Sequence, residues 1–415
     1  MQKEEAERFL LNCIEKRLFI NLNQMKRINW IILNVKDRTT NYGIGSYIKH
    51  FAYEMSLVSE ISVFIISISY RGSSKINIQK IAGITYFNIN SPFDNNGFYS
   101  MHCQKKLANG IVKIIYPYIS RRILTVVHSN HVVQSFFVEE LKKHFHCKTI
   151  FTQHFFYNIN SEVQTFDFEK AMYTLADNIV TVTEHGKTFL LKDKNVQKNK
   201  ISVIYNGLNP LCVNAKTNDT KNIVVKKYGI KFSEKLILFV GRLDEIKGIK
   251  FLTEAFGNLV KNNSDYRLLF IGEGSIDDLV LNTRSFSSNV SFLGAIPQSD
   301  VTAFYCYSDI GVIPSLEEHC SYVALEMMHY GLPLVVSKVG GLKELFQDKI
   351  NALIINMVDF ENPWQIAPDI NSLTISMEIL LKNRKMRMLF SQNLKKRSQE
   401  FTANRMIKEY LNLIR

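Results

Sequence analysis

Strand-length apolar runs alternate with amphipathic stretches along nearly the whole chain, and this alternation restricts the fold more than any other feature. In the first half, residues 28–35, 61–68, 84–89, 123–127, 149–152, 179–182 and 201–205 read as strands. They are almost continuously apolar, as expected for strands buried on both faces of a parallel sheet. Helical patterns lie between them, such as Tyr47, Ile48, Phe51 and Met55 at helical spacing, and residues 132–144. A polar stretch at 214–222 breaks the pattern. The alternation restarts with strands at 236–240, 267–271, 290–293, 310–313 and 333–337 and helices at 252–261 and 321–330. This predicts an α/β chain of two doubly wound, Rossmann-like parallel-sheet domains facing a cleft, with ligands beyond the carboxyl ends of the strands. The expected divisions are an N-terminal amphipathic extension (1–26) with Phe9, Leu10, Cys13, Ile14 and Leu18 on one face, a first domain (27–213), a second domain (214–398), and a terminal helix (399–415) returning to the first domain.

Composition excludes several classes. With 415 residues and 46% hydrophobic content, the chain has enough apolar surface to offset its conformational entropy, so disorder is excluded. No apolar run reaches the ~18 residues of a membrane span. Charged residues interrupt the first 17 positions, which argues against a signal peptide, and a cytoplasmic protein or one peripheral to the inner face of a membrane is expected. The six cysteines are scattered without a Cys-x-x-Cys pair, so neither a zinc site nor a disulfide framework is expected. The net charge of +13 is uneven: residues 1–212 carry 26 Lys and Arg against 16 Asp and Glu, the rest 25 against 22. A basic first half attracts anionic partners. The nucleic-acid modules are absent, so the expected partner is an anionic acceptor or one at an anionic membrane surface, with no nucleic acid.

Three strings carry chemistry. Gly241, Arg242 and Lys247 follow a strand and precede a helix, where free N–H groups and two cations suit a diphosphate. Two solvated loop cations would read the same way. Glu318 lies past a strand end, and Glu326 lies within the following helix, where a carboxylate accepts hydrogen bonds from sugar hydroxyls. Two glutamates eight apart also arise by chance in an acidic helix. Gly340 and Gly341 follow a strand and permit close backbone approach, or form a plain turn.

Taken in order, Phe239-Val240-Gly241-Arg242-Leu243, Lys247-Gly248, Ile271-Gly272-Glu273-Gly274, Phe292-Leu293-Gly294, the pair Glu318/Glu326 and Gly340-Gly341-Leu342-Lys343-Glu344 resemble the retaining family-4 glycosyltransferases of the GT-B fold. Gly43-Ile44-Gly45, His154, Ala176-Asp177 and Tyr205-Asn206-Gly207 stand where that family has counterparts, so the resemblance covers about residues 27–412. It implies transfer of a hexose-type sugar, with retention, from a UDP- or GDP-linked donor to a hydroxyl-bearing glycan, lipid-linked sugar or peptide. Arg242 and Lys247 would grip the diphosphate, and Glu326 would take the ribose hydroxyls. Glu318 would contact the sugar ring, and Ser321 and Tyr322 would support sugar and phosphates. Gly294 to Ile296 would frame the base, Gly43 and Gly45 would approach the diphosphate, and His154 would lie near the reacting sugar. His319-Cys320-Ser321-Tyr322 replaces the family's Phe-Gly pair, and Asn209 replaces its Asp after Asn-Gly-x. The sequence contains no Asp-x-Asp, which points to a metal-independent enzyme without cofactor. A GT-B nucleotide-sugar epimerase and a catalytically inactive GT-B binding subunit are the alternatives.

Overall fold

The computed structural model describes residues 27–35, 43–70, 75–93, 100–155, 164–209, 226–231, 233–261, 265–360 and 362–415. The N-terminal extension at 1–26 and the polar stretch at 214–222, with the expected 213/214 boundary beside it, lie outside them. The chain forms two compact units. One takes the chain up to Val182 with Gly186–Ile204 and Met406–Arg415; the other takes Thr183–His185 and Tyr205–Arg405.

The first unit is built on eight strands: β1 (Ile28–Val35), β2 (Ile61–Tyr70), β3 (Lys75–Ile81), β4 (Ile84–Ser91), β5 (Leu124–Ser129), β6 (Cys147–Gln153), β7 (Asn178–Thr181) and β8 (Ile201–Val203). Their order across the sheet is β3-β4-β2-β1-β5-β6-β7-β8. All pairings are parallel except β3 with β4. The sequence pattern missed β3, and the reason is physical: it is an edge strand with Lys75, Ile76 and Asn77 exposed, so it lacks the apolar run of a covered strand. The helices are α1 (Ile44–Ser56), α2 (Met101–Ile115), α3 (Ser135–His144), α4 (Gln164–Leu175) and α5 (Glu184–Lys192), whose first two residues are counted with the second unit. Trp30, Ile31, Ile32 and Leu33 on β1 are all completely buried, which is what a central strand covered on both faces requires. The helix expected at 132–144 opens as a 3-10 turn, Val132–Gln134, before α3.

The second unit holds a six-stranded parallel sheet of β9 (Lys235–Val240), β10 (Tyr266–Ile271), β11 (Val290–Phe292), β12 (Ile310–Ile313), β13 (Leu334–Ser337) and β14 (Ala352–Ile355), in the order β11-β10-β9-β12-β13-β14. A hairpin, β15 (Met357–Phe360) and β16 (Asn362–Pro368), stands apart from it. Its helices are α6 (Ile249–Val260), α7 (Asp277–Asn282), α8 (Gln298–Tyr307), α9 (Tyr322–Tyr330), α10 (Leu342–Leu345), α11 (Ile370–Lys382), α12 (Arg384–Ser398) and α13 (Ala403–Asn412), the last running on into the residues counted with the first unit. There Tyr410 is fully buried, its hydroxyl 2.7 Å from Thr152 Oγ1. Among the described residues no helix is long and apolar enough to cross a membrane.

Backbone hydrogen bonds stitch together the loops at the carboxyl edge of the second sheet. Gly272 N–H donates to the Gly294 carbonyl at 2.9 Å, Gly241 to Ile271 at 2.9 Å, Leu243 to Glu273 at 2.8 Å, Leu316 to Ile246 at 2.8 Å and Gly341 to Glu318 at 2.9 Å. Glycine makes these approaches possible. At Gly272, φ is +141°, and a Cβ would fall well inside contact distance of the Gly241 carbonyl.

Two predictions follow from this packing. Gly272→Ala forces either a strained φ or a broken stitch, at a cost of about 1–3 kcal/mol. A fall of several degrees in the thermal midpoint is the expected result, and an unchanged midpoint refutes the constraint. Buried His50 and His128 are both pushed down to about 3, chiefly by burial, with Lys49 and His154 respectively adding repulsion. Between about pH 3 and the ordinary histidine range the unfolded chain therefore binds more protons than the folded one. The stability that their neutrality contributes is complete above pH ~6.5 and is lost as pH falls, by roughly 1.4 kcal/mol per pH unit for each group. Urea midpoints measured from pH 7 to pH 5 should fall, and should fall less steeply in His50→Leu; equal slopes in the two proteins count against the assignment.

Candidate active site

In the second unit the chain lays β10 and β11 on one side of β9, then crosses over to lay β12 and β13 on the other. The loops after β9 and β12 thus diverge from a topological switch point, the place where such sheets bind ligands. Lys247 and Glu318 meet there. Lys247 Nζ lies 2.5 Å from Glu318 Oε1, and Ser315 Oγ donates to the same oxygen at 3.3 Å. Lys247 ends a short 3-10 turn capped by Asp244, whose carboxylate accepts from the Lys247 N–H at 3.2 Å. The left-handed Gly248 then starts α6 (φ +68°), so close to the Pro314 carbonyl that no Cβ fits. Arg242 pairs with Asp244 at 3.1 Å and is 40% exposed, a solvent-screened contact that leaves its charge at the surface.

Glu318 leads into α9. Ser321 caps this helix, its hydroxyl accepting from the Ala324 N–H at 3.3 Å. The Tyr322 ring is buried, and its hydroxyl donates to the Gly207 carbonyl at 3.4 Å. The Tyr322 side chain is therefore committed to the fold, and the residue stands in the first turn of the helix. Glu326 lies one turn further along the helix and accepts from the Tyr305 hydroxyl at 2.7 Å. Gly294 (φ +65°, exposed) and Ile296 follow β11 and precede α8. His319 donates to Glu317 at 3.2 Å, and this bond holds the Glu317 carboxyl below its ordinary range. Burial pushes the Cys320 thiol up to about 12, so it stays protonated at neutral pH and is no nucleophile. Glu344 Oε2 and Oε1 accept the Glu184 and His185 N–H groups, both at 2.8 Å, and Oε2 also accepts from the Tyr205 hydroxyl at 2.6 Å.

The first unit has its own switch point, where β2 and β5 flank β1. Gly43 is the N-cap of α1 with φ +45°, whereas Gly45, expected in a turn, lies inside the first turn of that helix. His154 directly follows β6, its Nε2 2.9 Å from Asn130 Oδ1. Asn130 Nδ2 donates to the Leu33 carbonyl at 3.2 Å. A carbonyl can only accept, so the amide presents its oxygen to His154, and in neutral His154 Nε2 carries the proton. The Tyr47 ring packs edge-on against the imidazole with centroids 4.6 Å apart.

The structure thus gathers Gly294, Arg242, Lys247, Glu318, Ser321 and Glu326 onto the loops and helix starts at one edge of the second sheet. Gly43, Gly45 and His154 occupy the corresponding edge of the first. Sequence reasoning passed over Tyr305 and Asn130 and gave Ser315 no role of its own. Asn130 carried a weak signal, a polar residue directly after an apolar strand; Tyr305, inside an apolar helix, carried none. Among the described residues no cluster of three or more His, Cys, Asp and Glu side chains could hold a metal ion. Chemically, the second edge offers two cations and a helix start for an anion, with carboxylates beside them for hydroxyls.

Two family models match the chain. Residues 234–374 match "Glycosyl transferases group 1" and residues 96–210 match "Glycosyltransferase Family 4". An uncharacterized glycosyltransferase of Methanocaldococcus jannaschii is 33% identical over 193 residues, which is 46% of this chain and 48% of that protein. The chain spans about half the length of the first curated relatives it matches. Among solved structures, sucrose-phosphate synthase from Thermosynechococcus elongatus superposes with a TM-score of 0.74 at 17% identity, covering 93% of this chain and 98% of that one. Anabaena HepE in complex with UDP-glucose gives 0.71 at 14%, covering 92% and 99%. At these identities the structural likeness establishes the fold, GT-B. The chain belongs to glycosyltransferase family 4.

Proposed function

We propose that this protein is a retaining, metal-independent glycosyltransferase that moves a hexose-type sugar from a UDP- or GDP-linked donor to a hydroxyl-bearing acceptor. The observation that carries the reading is the meeting of Lys247 and Glu318 at the switch point of the second sheet, 71 positions apart in sequence. Binding of UDP-glucose by the HepE protein, which shares the fold, supports a nucleotide-sugar donor. Arg242, Lys247 and the N–H groups of the first turn of α9 hold the diphosphate, and Glu326 takes the ribose hydroxyls. Glu318 contacts the transferred sugar, Ser321 and Tyr322 support it through the helix start, and Gly294 to Ile296 frame the base.

In this chemistry the bond between the anomeric carbon and the diphosphate oxygen breaks, and a bond from the acceptor oxygen to that carbon forms on the same face. The acceptor's proton passes to a phosphate oxygen. The charge growing on the departing diphosphate is stabilised by fixed cations and dipoles, which need no reorganisation at the moment of reaction. The acceptor is anionic, or is met at the anionic inner face of a membrane, in keeping with the basic first half of the sequence.

Arg242→Ala should lower donor kcat/KM by roughly a hundredfold with an unchanged melting temperature; Lys247→Ala should lower it by a similar factor with a reduced melting temperature, because it leaves the shielded Glu318 carboxylate unpaired. Turnover should survive excess EDTA. Wild-type turnover in both variants sinks the donor site; loss in EDTA that magnesium or manganese restores sinks metal independence. For the acceptor, surface charge is screened over about 10 Å at 0.1 M salt. The acceptor KM should therefore rise with salt while the donor KM stays nearly constant. An acceptor KM flat from low to high salt leaves the charge asymmetry without a role in recognition.

A further inference from the structure

We infer that Tyr305 is a positioning residue for nucleotide recognition: its hydroxyl fixes the Glu326 carboxylate in the orientation that receives a ribose diol, making Tyr305 a determinant of preference for ribonucleotide donors. The inference rests on the reading above in which Glu326 takes the ribose hydroxyls, and it names the residue that sets that carboxylate's geometry.

Tyr305 lies near the end of α8 and is 1% exposed. Burying a phenol costs free energy unless its hydroxyl is bonded, so a buried tyrosine in place of phenylalanine calls for a partner. The partner is Glu326 Oε2 on α9, at 2.7 Å, a normal length for a hydroxyl donating to an oxygen. Burial, with Glu326 beside it, raises Tyr305 well above the ordinary phenol range, so it is always the donor. The ring cannot swing away, because it stacks on Tyr330 of α9 with centroids 5.9 Å apart at 22°. Donor and acceptor therefore stand on two helices of the same unit, and the bond sets the plane of the carboxylate. A glutamate side chain has three rotatable bonds, and leaving it unfixed would cost rotamer entropy each time a diol bound. Adjacent hydroxyls fit a carboxylate only when its plane is aligned with them.

The test is calorimetric binding of UDP and GDP, each against its 2′,3′-dideoxy form, to wild type, Tyr305→Phe and Glu326→Ala. Tyr305→Phe keeps the ring and its stack on Tyr330 and removes only the hydroxyl. Wild type should prefer the ribose form, and Glu326→Ala should abolish the preference. Tyr305→Phe should cut it by about tenfold, the loss expected for one hydrogen bond to a charged group, with the dideoxy Kd unchanged. If Glu326→Ala abolishes the preference while Tyr305→Phe keeps the wild-type ratio, Tyr305 is a packing residue and the inference is overturned. Equal weakening of ribose and dideoxy forms by Tyr305→Phe overturns it too. A wild-type ratio in Glu326→Ala, or no binding of either diphosphate to wild type, instead overturns the ribose assignment on which the inference stands.

Discussion

Everything at the candidate site of the second unit depends on backbone hydrogen bonds between loops. The loops after β11, β10, β9, β12 and β13 are joined in that order by N–H to carbonyl bonds of 2.8–2.9 Å. Side chains alone could not hold five loops in register, because each would have to order its own rotamers as well as the loop beneath it. Backbone bonds avoid that cost, and they also satisfy N–H and C=O groups that would otherwise be buried without partners. Their condition is steric: Gly248, Gly272, Gly274, Gly340 and Gly341 lie where a Cβ would strike a neighbouring carbonyl. The glycines of the motifs are thus the reason the loops stand close enough for their charged side chains to act together.

On this frame the charges separate by environment. Lys247 and Glu318 are largely shielded, 21% and 11% exposed, so their attraction is felt at higher strength than that of a surface pair. Arg242 with Asp244 is exposed and contributes little to stability. It is available for function because the fold does not depend on it. Glu344 shows the opposite use of a carboxylate: with two backbone N–H groups and the Tyr205 hydroxyl bonded to it, its lone pairs serve structure rather than a ligand.

The first unit makes comparable use of amides and histidines. Asn130 is held by the Leu33 carbonyl and by Gln134, whose Oε1 accepts from the Asn130 N–H at 3.1 Å, and it in turn sets the tautomer of His154. Fully buried His128 bonds Thr152 at 2.7 Å, and Thr152 bonds Tyr410 at 2.7 Å. Residues of β5, β6 and the terminal helix thus share hydrogen bonds inside an apolar core, where a bonded polar group is worth the most.

The sequence by itself determined which segments are strands and helices wherever both faces or one stripe are covered, because apolar periodicity records burial. Strand β1 and strand β12 agree with their sequence reading to the residue, as 28–35 and 310–313. It also determined the motif residues and, through them, the family. It could not show β3, whose exposed edge leaves no apolar run, nor the role of Tyr305, which reads as one more core residue of α8. Only the tertiary structure decided the strand order, and with it that Lys247 meets Glu318, that Asn130 meets His154 and that Tyr305 meets Glu326. The physical reason is that periodicity along a chain reports that a face is buried, but not which distant element buries it.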